Sequence, residues 1–411
     1  ETLDNYVRES DGKITSYYVD PTYNPYFFSS RNIVIDTTGE DNVVIIVYCP
    51  ETQRNRQIYD SVFDDLQYVG LERRITGGLV YTTKTDIQNV GILIGHGEFE
   101  GNANGISALK DLLQENGFNI FSVTFDQLET YADKVNILVI VNPMMTYSDN
   151  DISVLDSFLS NNGKLGKHLM IFSDLDAADN PKLDGYLREW GLEFGKESIF
   201  DEANSYAFTN QYEPFLKLTY EPDTLFTELL EGNYSVDVQL GKARAVNILF
   251  SSEDSVVTQT LINTYDTAFG REMFNTNVSA DDFKNIKKSE GDSSGPFSVM
   301  TLSSKARYEG TDRISSNILL CGSSSFMKAY YLSNIDGSKQ TVSQCLIETV
   351  KYLVSATESV DTSILPKNLL PYTLNFETTT QVRWIFIGIP FGIPVIFAIA
   401  CIVVYKKRNT L

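Results

Sequence analysis

The sequence predicts an α/β protein, built on a mostly parallel sheet with helices on both faces, preceded by a small α/β unit and followed by one C-terminal transmembrane helix. Three observations carry this. Between about residues 90 and 200, short β-rich runs alternate with segments of helical period, the pattern of a parallel sheet covered on both sides. The same alternation resumes near residue 316. Residues 384–405 are 22 residues without a charge, enough at about 1.5 Å per residue to span a hydrocarbon core of about 30 Å.

Taken in order, residues 1–85 read as the small α/β unit. The chain opens Glu1-Thr2-Leu3-Asp4, with no basic n-region and no apolar h-region, so a removed signal or a preceding membrane helix is expected. The α/β core covers 86–200. Within it, 90–95 is a buried strand and 106–115 a helix with Ile106, Leu109, Leu112 and Leu113 on one face, ended by Gly117. Residues 118–125 return as a strand, and 136–141 form the next, closed by Asn142-Pro143. Ser148 or Asp149 caps a helix that turns Ile152, Leu155, Phe158 and Leu159 inward and stops at Gly163. Residues 168–173 give a further strand, followed by Asp174 and a helix near 183–190.

Residues 201–295, richer in Asn, Asp, Ser and Thr, read as an insertion or β-rich subdomain that ends in a flexible loop over 284–295. The core returns over 296–356, with a strand at 316–321 and a helix at 342–353. Residues 357–381, with Pro366 and Pro371, form a stalk. Residues 382–405 are the transmembrane helix and 406–411 a basic tail. Lys406, Lys407 and Arg408 beyond the span, against Arg383 before it, place that tail in the cytoplasm and the rest outside it. Gly388 and Gly392 lie four apart among Pro390 and Pro394, a spacing that lets another helix approach closely; the alternative is that Gly and Pro are simply commoner in membrane helices.

Composition narrows the partners. The 33 basic against 54 acidic residues leave a net charge of −21, which argues against nucleic acid and anionic lipid. Four cysteines, one of them inside the apolar span at Cys401, do not make a disulfide framework. Cys49 and Cys321 end apolar runs and read as small buried hydrophobes.

The chemistry centres on Gly95-His96-Gly97-Glu98, which follows a strand at the edge where open α/β sheets bind ligands. His96 and Glu98 suit an acid–base or metal pair; equally, the glycines permit a tight turn whose backbone the two side chains hold. Asn142 and Asp174, each directly after an apolar run, join them as candidate ligand-binding residues. With only two histidines in the chain, His96 and His168, no multi-histidine metal site is expected, and no cofactor. Asp174-x-Asp176-x-x-Asp179 lacks calcium-loop spacing and reads as a capping and loop cluster. Gly322-Ser323-Ser324-Ser325 is only loosely like a nucleophile elbow, since Phe326 stands where the elbow needs glycine.

Several ordered segments then resemble the GldG-like auxiliary component of ABC-type transport systems, named from bacterial gliding motility. They are Gly12-Lys13-Ile14-Thr15 with Val19-Asp20-Pro21 and Asn24-Pro25, the run ERRITGGLVYTT from Glu72, Gly95-His96-Gly97-Glu98, ILVIVNP from Ile137, LDSFLSNNGK from Leu155, Gly295-Pro296-Phe297, and Cys321 through Phe326. The resemblance implies a Rossmann-like fold akin to class I glutamine-amidotransferase-like domains without their catalysis, shared with an intraflagellar-transport subunit, and an N-terminal membrane helix. Where that family has Gly-Asp-Ser-Asp-Phe, this chain has Gly322-Ser323-Ser324-Ser325-Phe326, which removes the acidic groups from that turn.

The expected function is therefore a non-enzymatic, extracytoplasmic auxiliary subunit of an ABC-2-type transporter at a bacterial plasma membrane. It binds substrate or gates the permease, with the permease and ATPase on separate chains and a glycan or peptide as the possible ligand. No Walker A motif stands in the sequence. A membrane-anchored cell-wall hydrolase using His96 and Glu98, and a surface adhesion module, are the alternatives.

Overall fold

The apolar runs of the sequence become buried strands, and the segments of helical period between them cover both sides of the sheet. The computed structural model describes residues 2–35, 44–59, 71–98, 106–206, 215–224, 238–240, 243–272, 286–327 and 341–354. Helices α1 (Thr2–Glu9) and α2 (Pro25–Ser29) precede a hairpin of β1 (Val44–Cys49) and β2 (Arg54–Tyr59), on which α3 (Leu71–Thr83) packs through Val47, Ile58 and Ile75. The next elements are β3 (Asn89–Leu93), α4 (Ser107–Glu115), β4 (Asn119–Val123), α5 (Phe125–Tyr131), β5 (Ile137–Val141), α6 (Asp149–Ser160), β6 (His168–Phe172) and α7 (Pro181–Glu189).

A run of strands follows: β7 (Leu192–Phe200), β8 (Ser205–Tyr206), β9 (Phe215–Tyr220), β10 (Val238–Leu240), β11 (Arg244–Ile248), β12 (Ser252–Glu253), β13 (Val256–Asn263), β14 (Phe269–Glu272) and β15 (Ser293–Ser294). The long hairpin of β16 (Ser298–Glu309) and β17 (Asp312–Cys321), and then α8 (Thr341–Val354), complete the described elements.

Strands β4, β3, β5, β6 and β17 lie side by side in that order, all parallel. Their side chains alternate between two apolar layers, as the period of two in a strand requires. Ile92, Val139, Phe172 and Cys321 meet α4 and α8 through residues such as Leu113 and Val350. Leu93, Ile140, Ile171 and Leu320 meet α5, α6 and α7 through Leu128, Phe158 and Leu187. Each such side chain contributes roughly 1.5–3 kcal/mol by leaving water, which makes this segment a rigid platform.

The parallel, Rossmann-like and glutamine-amidotransferase-like description needs correction, because the full sheet is mixed. On the far side of β17, β16, β13, β9 and β10 continue the same 11-stranded sheet entirely by antiparallel pairing. A second, four-stranded sheet of β11, β7, β14 and β15 is antiparallel throughout. The reason is local: Gly310, at φ 65°, turns the chain so that β16 reverses directly into β17, pairing Glu309 with Asp312 and running on to Met300 with Cys321. A strand expected at 316–321 is thus half of a long hairpin.

The transmembrane part of the expectation is not shown. Residues 382–405, with Gly388, Pro390, Gly392 and Pro394, lie outside the described residues, and no helix among the described residues is long and apolar enough to cross a membrane.

Two helix starts show how sequence sets boundaries. Ser148 caps α6, accepting from the Asp151 amide while the Asp151 carboxylate accepts from the Ser148 amide, a reciprocal capping box. Thr124 and Gln127 do the same for α5, which ends β4 two residues before the expected Phe125.

A candidate ligand-binding edge

The order β4-β3-β5-β6-β17 reverses direction between β3 and β5. In open α/β sheets the loops that leave the carboxyl ends of the strands part at such a point and open a crevice. The two loops here are Gly95–Glu98 after β3 and residues 142–148 after β5.

In the first loop, Gly95 and Gly97 hold φ angles of 114° and 73°, values a side chain rarely tolerates. They fold Glu98 back under the turn. Its carboxylate accepts from the His96 amide at 2.6 Å and from the Tyr147 hydroxyl at 3.0 Å. Glu98 and Tyr147 are both buried, and burial, with the Glu98 carboxylate beside it, pushes the Tyr147 phenol well above its ordinary pKa. The phenol therefore stays a proton donor to Glu98.

The His96 ring stands edge-on to Phe125 and Tyr147, with centroids 5.4 and 5.0 Å away. Its Nε2 lies 3.4 Å from the Asp151 carboxylate, and its Nδ1 4.0 Å from Glu98. The His96 carbonyl accepts from the Met144 amide at 3.0 Å, which stitches the two loops together.

In the second loop, Asn142 adopts φ 49° and is buried. Its side-chain oxygen accepts from the Asp174 amide at 2.9 Å, and its amide nitrogen donates to Asp176 at 3.3 Å. Asp174 in turn accepts from the amide of Ser324 at 2.6 Å and from the Ser324 hydroxyl. The turn that lacks its own acidic residues thus receives a carboxylate from the neighbouring strand.

Arg244, from β11 in the second sheet, donates to the Ser173 carbonyl at 3.2 Å and the Ser173 hydroxyl at 2.8 Å. It also lies 3.8 Å over the Phe194 ring. Burial pulls its guanidinium down to about 10, while Asp184, Asp174 and Asp176 hold it up, so it remains a cation at neutral pH.

Of the four candidate residues, the structure sets His96 and Glu98 in one cluster and Asn142 and Asp174 in another, bridged by Met144. Tyr147, Asp151 and Arg244 belong to the same edge and were not singled out from sequence. The capping pattern Ser148-x-x-Asp151 was a readable sign for one of them; nothing in the spacing marked Arg244. His168 lies at the other end of its strand, where its Nδ1 meets the Asn317 amide at 2.9 Å. Among the described residues no group of three or more His, Cys, Asp or Glu is arranged to hold a metal. Cys49 and Cys321 are buried, and neither is in a disulfide.

The chain is similar to a solved structure titled "mmIFT52 N-terminal domain", at 10% identity and a TM-score of 0.45 over 65% of this chain and 98% of that one. No curated relative matches. Residues 88–215, which hold β3 through β8 and both loops of the crevice, match the family model described as an ABC-type uncharacterized transport system, a match that supports an auxiliary, transport-associated role.

Proposed function

We propose that the protein is a non-catalytic subunit of an ABC-2-type transporter whose permease and ATPase are separate chains. In this reading it engages a transported glycan or peptide, or a gate of the permease, through the crevice between the β3 and β5 loops. One observation carries it: the stretch matched by the transport family, 88–215, contains the point where the strand order reverses and every candidate ligand-binding residue around it.

A binding role is supported by how the edge spends its carboxylates. Glu98 serves an amide and a phenol, and Asp174 an amide and a hydroxyl, so both hold the loops in shape. Placement on the extracytoplasmic face of a bacterial plasma membrane is part of the proposal. A net charge of −21 favours that side over the anionic cytoplasmic leaflet.

Affinity isolation of the full chain in mild detergent tests the reading. Stoichiometric recovery of an ABC ATPase and a polytopic permease is expected. Recovery of neither, or glycan or peptide hydrolysis by the purified protein that disappears in His96→Ala, would overturn it.

A further inference from the structure

The crevice carries an exposed apolar feature. Met144 and Met145 are 48% and 57% exposed, side by side on the loop after β5. Two adjacent methionines in water are an uncommon use of that residue, whose flexible, polarisable side chain suits surfaces that accept apolar partners of variable shape. The loop beneath them is fixed rather than loose: the Met144 amide bonds the His96 carbonyl at 3.0 Å, the Ala178 amide bonds the Pro143 carbonyl at 3.0 Å, and the Tyr147 amide bonds Asn180 at 3.2 Å.

The surroundings are acidic. The loop 174–180, laid against the methionine loop by those bonds, exposes Asp176 and Asp179, and Asp149 is exposed at the start of α6. Asp149 is paired with Lys182 at 2.8 Å, which leaves Asp176 and Asp179 as the exposed carboxylates this face offers a partner. An apolar pair beside exposed carboxylates complements a segment that is apolar on one face and basic on the other, the chemistry by which methionine-rich, acidic surfaces capture basic amphipathic helices.

We propose that Met144 and Met145, with Asp176 and Asp179 exposed on the loop bonded to theirs, form a docking surface for a basic amphipathic helix of a partner protein. The proposal rests on the reading of this edge as the working face and names the chemistry of what it meets there. The methionines supply apolar contact; the aspartates select the basic partner and speed its approach.

The test uses the purified full chain and a fluorescent helical peptide of leucine and lysine, about 18 residues long with its leucines on one face, against a leucine and glutamate counterpart. Saturable binding of the lysine peptide alone is expected, with hydrogen-exchange protection over 142–149 and 174–180. Met144→Ser with Met145→Ser, and separately Asp176→Asn with Asp179→Asn, should each weaken binding at least tenfold. Unchanged affinity in both double variants would mean bulk charge attracts the peptide elsewhere and would overturn the proposal, as would equal binding of the glutamate peptide or no binding at all. If affinity isolation recovers the transporter components while these variants bind the peptide normally, the docking surface fails and the transport reading stands. If the peptide binds as expected and no transporter component is recovered, the reverse holds.

Discussion

The carboxylate of Asp174, directly after β6, receives both the backbone amide of Ser324 at 2.6 Å and the Ser324 hydroxyl, so one side chain clasps the carboxyl ends of β6 and β17. Ser324 is fully buried, and removing its acceptor strands two donors away from water. Asp174→Ala should cost about 2–4 kcal/mol and Asp174→Asn clearly less, since an amide oxygen still accepts one bond. Urea denaturation measures both; equal midpoints for Asp174→Ala and the wild type would show that the clasp contributes nothing.

Gly322 begins the same turn, and a Cβ there would stand 1.9 Å from the Arg244 carbonyl oxygen. The Arg244 amide also bonds the Gly322 carbonyl at 2.8 Å, so the two segments have no room to part cheaply. Gly322→Ala should destabilise by about 2–4 kcal/mol. In contrast, Gly185 in α7 has nothing within 4 Å of its added Cβ, and Gly185→Ala should stabilise by about 0.5–1 kcal/mol. Thermal unfolding of the pair reads the difference, and a Gly322→Ala protein as stable as wild type would contradict the close approach.

Burial, with Lys167 as the second cause, pulls the His168 imidazole down from 6.5 to about 3. The unfolded chain takes a proton on this residue below about pH 6.5, whereas the folded one does not until about pH 3. Stability is therefore lost as pH falls through that window, by on the order of 5 kcal/mol in all. His168→Asn, which keeps an acceptor for the Asn317 amide, should flatten this part of the stability profile between pH 6.5 and 4. A slope identical to wild type in the variant would show that other groups cause the loss.

Tyr147 donates to Glu98 at 3.0 Å with both groups buried. Tyr147→Phe should cost about 1.5–3 kcal/mol, because a buried carboxylate loses a donor. Glu98→Gln should cost less when Tyr147 is already Phe. A double-mutant cycle checks this; purely additive losses would show that the pair is not coupled.

How much of this was legible in the sequence differs from element to element. The strands β3, β5 and β6 were plain because their apolar runs are nearly unbroken, and α6 because Ser148 announces its start. Helix α5 was hidden, since Phe125 and Leu128 continue the apolar character of β4, and only the Thr124 and Gln127 capping pair separates them. Strand β16 was hidden for the opposite reason: Ser303 and Ser304 are polar yet buried, with Ser303 bonded to the Trp190 carbonyl at 2.7 Å and Ser304 to Asn317 at 2.6 Å. Sequence patterns count such residues as loop, whereas the fold supplies partners that let them sit inside. The edge was legible only in its glycine turn and its strand-end residues. Arg244 reaches it from another sheet, 71 residues from the serine it holds, a distance no local pattern records.

The central claim is that the loops after β3 and β5 are the face this protein turns toward its transport partners. A photo-reactive amino acid at exposed Thr146, on the loop after β5, and another at exposed Thr311, in the β16–β17 turn at the opposite end of the sheet, test it in native membranes. The account predicts a cross-link from position 146 to a transporter component and none from position 311. A cross-link from 311 with none from 146 would contradict it.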